Sequence, residues 1–264
     1  VHVSAHLGFC LISRTPVRRG AAMLAAAEAA ADEALRCGPG AIRAFSVEIQ
    51  KTREARAELV EDVGAALEGG QILAHFLPQI STDTGVVTGF GLAPCWLHPE
   101  RGFLPDSELL PVIDACGLRA RLSEVLLYHG FSALRSWGKN GLHSVSLSLS
   151  LSRDELLDPR LAEKLKWELD RFEVAPERLR LEVSEAVASD AAPEMVGRSL
   201  GALSRLGCPI DLAGFGNGPA PILAIRKCAV RRLRIERGLV ANVDTDPEQQ
   251  KMMVAILSLA EHLG

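Results

Sequence analysis

Gly89-Phe90-Gly91-Leu92-Ala93-Pro94-Cys95-Trp96-Leu97-His98-Pro99-Glu100 reads as a strand closing in a turn, with Trp96 as the anchor at the strand end and His98, Pro99 and Glu100 in the turn. Before it stands Phe76-Leu77-Pro78-Gln79. After it come Ser150-Leu151-Ser152, then Leu181-Glu182-Val183-Ser184-Glu185, then Ala213-Gly214-Phe215-Gly216-Asn217-Gly218. Each falls at or near the end of a segment with strand character. Strands are expected at 72–80, 86–96, 143–151, 178–184, 209–213 and 231–236, and helices at 106–116, 120–138, 160–171, 191–206, 219–227 and 246–263. Repeated β–α alternation argues for a parallel sheet with helices packed outside it.

Working outward, Lys51 to Glu68 carries Leu59, Val63, Ala66 and Leu67 at helical spacing, with Gly69-Gly70 as the stop. Residues 1–13 read as a strand or hairpin arm, Arg19 to Arg36 as a helix ended by Cys37-Gly38-Pro39-Gly40, and Ile42 to Ile49 as a strand. The expected organisation is a short N-terminal α/β segment over 1–50, a linker helix over 51–70, where one part of the chain could move relative to the other, and the large α/β unit over 71–264.

Composition narrows the function classes. The 264 residues are 48% hydrophobic, enough for a sizeable core, and a net charge of -4 argues against a broad nucleic-acid surface. The six cysteines are scattered with no CxxC, which fits free thiols in a reducing cytoplasm rather than a zinc site or a disulfide framework. No apolar run approaches the roughly 18 residues of a membrane span, so no membrane contact is expected from this segment. The sequence opens on Val1 rather than Met and reads as part of a longer protein, which could carry a membrane tether elsewhere.

The motifs, taken in order from about Lys51 onward, resemble the EAL domain, the bacterial phosphodiesterase that hydrolyses cyclic di-GMP. The resemblance implies a TIM-like (β/α) barrel, whose working residues sit at the C-terminal ends of the strands. Six of its eight strands are accounted for by Gly264, so the barrel is either truncated or open. The residues before Lys51 resemble the C-terminal end of a GGDEF (diguanylate cyclase) domain, whose Val-Ser-x-Gly motif stands here as Val3-Ser4-Ala5-His6.

Phosphodiester hydrolysis at neutral pH needs an activated water and neutralised phosphate charge, which two divalent ions supply. Mg²⁺ and Mn²⁺ take oxygen ligands, largely carboxylates. Carried position by position, the resemblance implies that the Glu of Glu-Ala-Leu is Gly91, the Asn of Asn-Leu-Ser is Ser150, and the Asp-Asp pair is Ala213-Gly214. The Lys of Lys-Ile-Asp is Arg234, in Arg234-Ile235-Glu236. Glu182 alone survives among the carboxylate ligands, and Glu185 matches a second glutamate that steadies the strand-five loop. The ligand-gripping glutamine and arginine become Leu77 and Cys95. Arg234 is a candidate phosphate contact.

The expectation is therefore a catalytically inactive EAL-like domain with no metal cofactor, acting in cytoplasmic signalling by binding a partner protein or a second copy of itself. One alternative is a sensor that binds cyclic di-GMP, or another nucleotide, without cleaving it. Another is a phosphodiesterase with a metal site remodelled around Glu182 and Glu236. A serine-hydrolase reading through Ser150 and His143 fails, because both fall on one expected strand at an odd spacing and face opposite ways.

Overall fold

The computed structural model describes residues 5–13, 15, 19–37, 40–189, 193–216 and 230–263. The chain divides into two compact units, Val1–Ala65 and Ala66–Gly264. In the first, β1 (Leu7–Phe9) and β2 (Ile42–Ala44) pair in parallel, joined by α1 (Gly20–Arg36). Ala26 and Ala30 of α1 pack with Phe45 as a small core. Two expectations need correction here. The strand expected over the first thirteen residues shrinks to Leu7–Phe9, with residues 1–4 outside the described set. The strand expected over Ile42 to Ile49 stops at Ala44, because Ser46 Oγ accepts the Ile49 N–H at 3.2 Å and starts α2 (Val47–Glu68).

The second unit holds β3 (Ile72–Ile80), β4 (Val87–His98), β5 (Gly102–Leu104), β6 (Ser146–Leu151), β7 (Leu179–Ser184), β8 (Ile210–Phe215) and β9 (Val230–Ile235). Its helices are α3 (Asp106–Ala115), α4 (Arg119–Lys139), α5 (Arg153–Leu156), α6 (Leu161–Phe172), α7 (Glu185–Ser189), α8 (Pro193–Leu206), α9 (Arg237–Val240) and α10 (Pro247–Leu263). The long elements lie within a few residues of the expected bounds; the helix expected at 219–227 lies outside the described residues. The sheet runs β3-β4-β6-β7-β8-β9, with β5 added on β4, as a partial TIM-like barrel open between β3 and β9 among the described residues.

The sheet is mixed, not purely parallel. β3 and β4 form an antiparallel hairpin, whereas β4, β6, β7, β8 and β9 run parallel. The physical reason is the connection. Residues 81–86 are too few to carry the chain back for a parallel partner, which takes about a dozen residues. His143 also moves: it precedes β6, so the Ser150–His143 pairing fails because they do not share a strand, not because of strand parity.

Strand alternation builds both faces of the barrel wall. In β6 the leucines Leu147, Leu149 and Leu151 are buried towards the helices, while the intervening serines face the lumen. β7 repeats the pattern with Leu179, Leu181 and Val183 against Arg180 and Glu182, and β8 with Ile210 and Leu212 against Asp211 and Ala213. The helices bury matching stripes, such as Leu161, Leu165 and Leu169 of α6. At Gly130 in α4 a Cβ would stand 2.8 Å from Leu147 Cδ1, so a larger residue there would force the Leu147 side chain to shift. Turns at the strand ends are fixed by local hydrogen bonds. Ser152 and Glu155 form a reciprocal capping box that opens α5. His98 Nδ1 accepts the N–H groups of Glu100 and Arg101, each at 3.2 Å, and turns β4 into β5. Trp96, wholly buried, donates its indole N–H to Gln71 Oε1 at 3.1 Å.

Candidate functional site

The lumen-facing positions of adjacent strands come into register. Ser150 pairs with Glu182, Glu182 with Asp211, and Asp211 with Arg232. Ser184, Ala213 and Arg234 form the next row, nearer the strand ends, and Ser148 pairs with Arg180 a row below. A cavity of about 490 Å³ opens on this surface, with Gln79, Ser148, Glu182, Asp211, Arg232 and Arg234 in its wall.

Asp211 and Glu182 are each met by a guanidinium from a neighbouring row. Arg180 forks onto both oxygens of Asp211, with Nε 2.7 Å from Oδ2. Arg234 Nη1 donates to Glu182 Oε2 at 2.7 Å, and Ser150 Oγ donates to the same oxygen at 3.3 Å. Glu182 lies on β7 and Arg234 on β9, so the arginine reaches past β8 at Ala213, its register partner, where only a methyl intervenes. Arg232 donates to Gln79 Oε1 at 3.0 Å, and Gln79 Nε2 donates to Ser148 Oγ at 3.0 Å, linking β9 to β3 across the lumen. Burial first, then the neighbouring Arg180, hold the Arg232 guanidinium below its ordinary pKa, against the pull of Asp211 and Glu182.

A model of the EAL domain matches residues 60–264. The chain belongs to the EAL domain family. It is 26% identical, over its whole length, to the bifunctional diguanylate cyclase/cyclic di-GMP phosphodiesterase MucR of Pseudomonas aeruginosa, of which it spans 38%. It is 25% identical over 205 residues, 78% of this chain and 52% of the relative, to the cyclic di-GMP phosphodiesterase RocR of the same organism. The solved structure of the MucR phosphodiesterase in complex with cyclic di-GMP superposes with a TM-score of 0.73, covering 78% of this chain and 83% of that one at 26% identity. The FimX EAL domain shares the fold with a TM-score of 0.70 at 22% identity, covering 78% of this chain and 82% of that one.

Of the expected site positions, Gly91, Ser150, Glu182 and Arg234 line the cavity, whereas Glu185, Ala213, Gly214 and Glu236 are not in its wall. Gly91 sits opposite Leu77 in the hairpin, and a Cβ there would meet Leu77 Cβ at 3.8 Å, an ordinary contact. Gly214 has φ +72°, and its Cβ would approach Glu236 Oε2 at 3.6 Å, an ordinary contact. Glu185 Oε2, at the start of α7, accepts the Gly216 N–H at 3.0 Å and thereby ties α7 to the residue that follows β8. Gly216 has φ +101°, which an L side chain rarely adopts, and its Cβ would stand 2.3 Å from Leu239 Cδ1. Leu77 is half-exposed on the free hairpin strand, and Cys95 is buried, its thiol pushed up in pKa by burial. Among the described residues, no three His, Cys, Asp or Glu side chains converge as a metal site would require.

Sequence reasoning missed the network of Gln79, Ser148, Arg180, Asp211 and Arg232, the last two of which share the Glu182 row. Its signal was present: charged residues at alternate positions of otherwise apolar strands, where a strand buried on both faces reads as continuously apolar. No helix among the described residues is long and apolar enough to cross a membrane.

Proposed function

We propose that this chain is a catalytically inactive EAL domain that serves cyclic di-GMP signalling as a regulatory module, through a protein partner or a second copy of itself. The single observation that carries this reading is the Arg234–Glu182 contact at 2.7 Å. Glu182 is the one acidic ligand position left, and its oxygen is already shared by a guanidinium and the Ser150 hydroxyl. A Mg²⁺ or Mn²⁺ pair would supply an activated water and charge neutralisation. The residues present do not fit such a pair: glycine, serine, alanine and glycine stand at 91, 150, 213 and 214, with too few anionic oxygens to offset dehydration of two ions. Glu236 adds one carboxylate beside Gly214, where the positive φ disfavours rebuilding an acidic side chain. The chain's own groups then hold the lumen together. Arg234 neutralises Glu182, Arg180 neutralises Asp211, and Glu185 keeps the loop at Gly216 in shape.

The test is incubation of the purified chain with cyclic di-GMP and Mg²⁺ or Mn²⁺. No linear dinucleotide should accumulate, and Gly91→Glu alone should not restore turnover; hydrolysis at the rate of an active EAL enzyme would end the reading. A second reading, a binder that does not cleave, draws support from the cavity in the lumen and from the MucR phosphodiesterase, solved as a cyclic di-GMP complex. A melting temperature that rises with cyclic di-GMP concentration would favour it. We also infer that the unit before α2 is the end of a GGDEF domain. Its parallel β1–α1–β2 arrangement supports this, as does the end-to-end match to MucR, a diguanylate cyclase by name. The sequence encoded immediately upstream of Val1 tests it.

A further inference from the structure

A second cavity, of about 1210 Å³, lies outside the barrel wall between α4 and α6. It shares Arg119, Ser123 and Leu149 with the lumen cavity and is otherwise separate from it. Its floor is apolar, made by the buried Leu127 of α4, Leu149 and Leu151 of β6, and Leu161 and Leu165 of α6. Two aromatic side chains line it yet stay open to solvent, Trp167 at 61% and Tyr128 at 53% exposure. Aromatic surface left uncovered beside an apolar floor marks an interaction site. The Arg171 guanidinium lies over the Trp167 ring at 5.3 Å and over Phe172 at 5.2 Å, so the indole is held in place before anything docks on it. Trp, Tyr and Arg are the residues that dominate binding energy at protein interfaces. The charge on the rim is unbalanced. Its cations are engaged, among them Arg119 with Asp114, Arg121 with Glu124, Lys164 with Asp158 and Arg171 with Glu168. Glu68, Asp154 and Glu163 are exposed on the same rim and form no ion pair among the described residues.

We propose that this groove docks an amphipathic helix of a partner protein, whose apolar stripe covers the leucine floor and whose flanking lysines or arginines meet Glu68, Asp154 and Glu163. This deepens the reading of an inactive EAL domain that works through a protein partner, and rests on it. Size argues for a peptide element, since small-molecule sites enclose about 300–1,000 Å³ and this groove is larger. It runs along α4 from Arg119 to His129 and along α6 from Leu161 to Arg171. At 1.5 Å per residue that is a length of about 15 Å, or about three turns of an occupant helix. A helix laid there presents its anchors to the floor at i, i+3, i+4 and i+7, as in other helix-in-groove recognition. Charge argues for a basic partner over a second copy of the chain, which itself carries a net charge of -4.

The experiment titrates the whole chain with a synthetic peptide of about 18 residues, long enough to hold a helix, with leucines at i, i+3, i+4 and i+7 and lysines on either side of that stripe. Trp96 is wholly buried and Trp137 half-buried, so a shift of emission to shorter wavelength reports the exposed Trp167, and calorimetry measures the affinity. The same residues in scrambled order, and the same peptide with glutamate for lysine, should each bind about 10-fold more weakly or worse. Trp167→Ala should weaken binding about 30-fold, the loss of one aromatic anchor; its thermal melt checks that the fold is kept. Glu68→Lys with Glu163→Lys should weaken it about 10-fold at low salt and less at high salt. Asp83→Lys, in the turn between β3 and β4, should leave it unchanged. No binding of the lysine peptide, equal affinity for the glutamate peptide, or binding undiminished in Trp167→Ala overturns the proposal. Sedimentation of the chain alone covers the other occupant: self-association that Trp167→Ala abolishes assigns the groove to a second copy and overturns it as well. These failures leave the inactive-enzyme reading standing, which only turnover with Mg²⁺ or Mn²⁺ would end.

Discussion

Arg234→Met should destabilise the barrel unit more than Glu182→Gln does, although the two changes remove the same ion pair. The asymmetry follows from burial: the Glu182 side chain is 5% exposed and that of Arg234 is 59% exposed. Methionine at 234 leaves a buried carboxylate hydrogen-bonded to the Ser150 hydroxyl, with Arg232 as the remaining cation that acts on it. A fully buried charge stripped of its partner costs about 3–5 kcal/mol. Here the arginine end is largely solvated and screened, so the loss is discounted to about 2 kcal/mol, the scale of one charge-assisted hydrogen bond. For a unit of this size that lowers the melting temperature by about 4–8 °C. Glutamine at 182 keeps an acceptor for Ser150 and leaves Arg234 free to turn to water, at a cost of about 1 kcal/mol or less. The double variant should be no worse than Glu182→Gln alone. Urea unfolding of the four proteins at pH 7 yields the coupling energy, expected to be about 1–2 kcal/mol. An Arg234→Met loss no larger than that of Glu182→Gln, or a coupling below about 0.5 kcal/mol, would refute the reasoning.

Other outcomes follow from the same geometry. Gly216→Ala should cost about 1–3 kcal/mol, since alanine at φ +101° is strained and its Cβ meets Leu239, whereas Gly91→Ala should change stability by less than about 1 kcal/mol; urea unfolding compares the two. Alkylation of the native protein at pH 8, read by mass spectrometry, should label the exposed Cys37 and spare Cys208, whose thiol is pushed up to about 12 by burial and then by Glu177. The linkage has a definite sign. Folded Cys208 keeps its proton to higher pH than the unfolded thiol, so its contribution to stability is lost as pH rises from about 9 towards 12; a Cys208→Ala variant should show a weaker alkaline loss in thermal melts.

Much of the barrel was legible because its strands and helices carry strong periodic patterns. The leucines of β6 and the Leu161, Leu165, Leu169 stripe of α6 each bury one face, and tertiary packing agrees with the local preference. Sequence reasoning failed where a short-range feature outweighed apolar content. Ile42 to Ile49 looks extended, but a serine at 46 three residues before Ile49 caps a helix instead. The hairpin of β3 and β4 was hidden by a general expectation of parallel strands, although a connection over 81–86 is too short for a crossover. For the site, positions matched one at a time implied which acidic side chains are replaced. They could not reveal that Arg234 reaches Glu182, because that contact spans two strands and depends on the small side chain at Ala213.

The most direct test of the central claim is a Mn²⁺ titration of the folded chain followed by electron paramagnetic resonance. With a guanidinium already on the Glu182 carboxylate, the free-ion signal should fall no further than it does for Glu182→Gln. Retention of two Mn²⁺ ions per chain, abolished by Glu182→Gln, would mean that metal displaces Arg234, and would contradict the account.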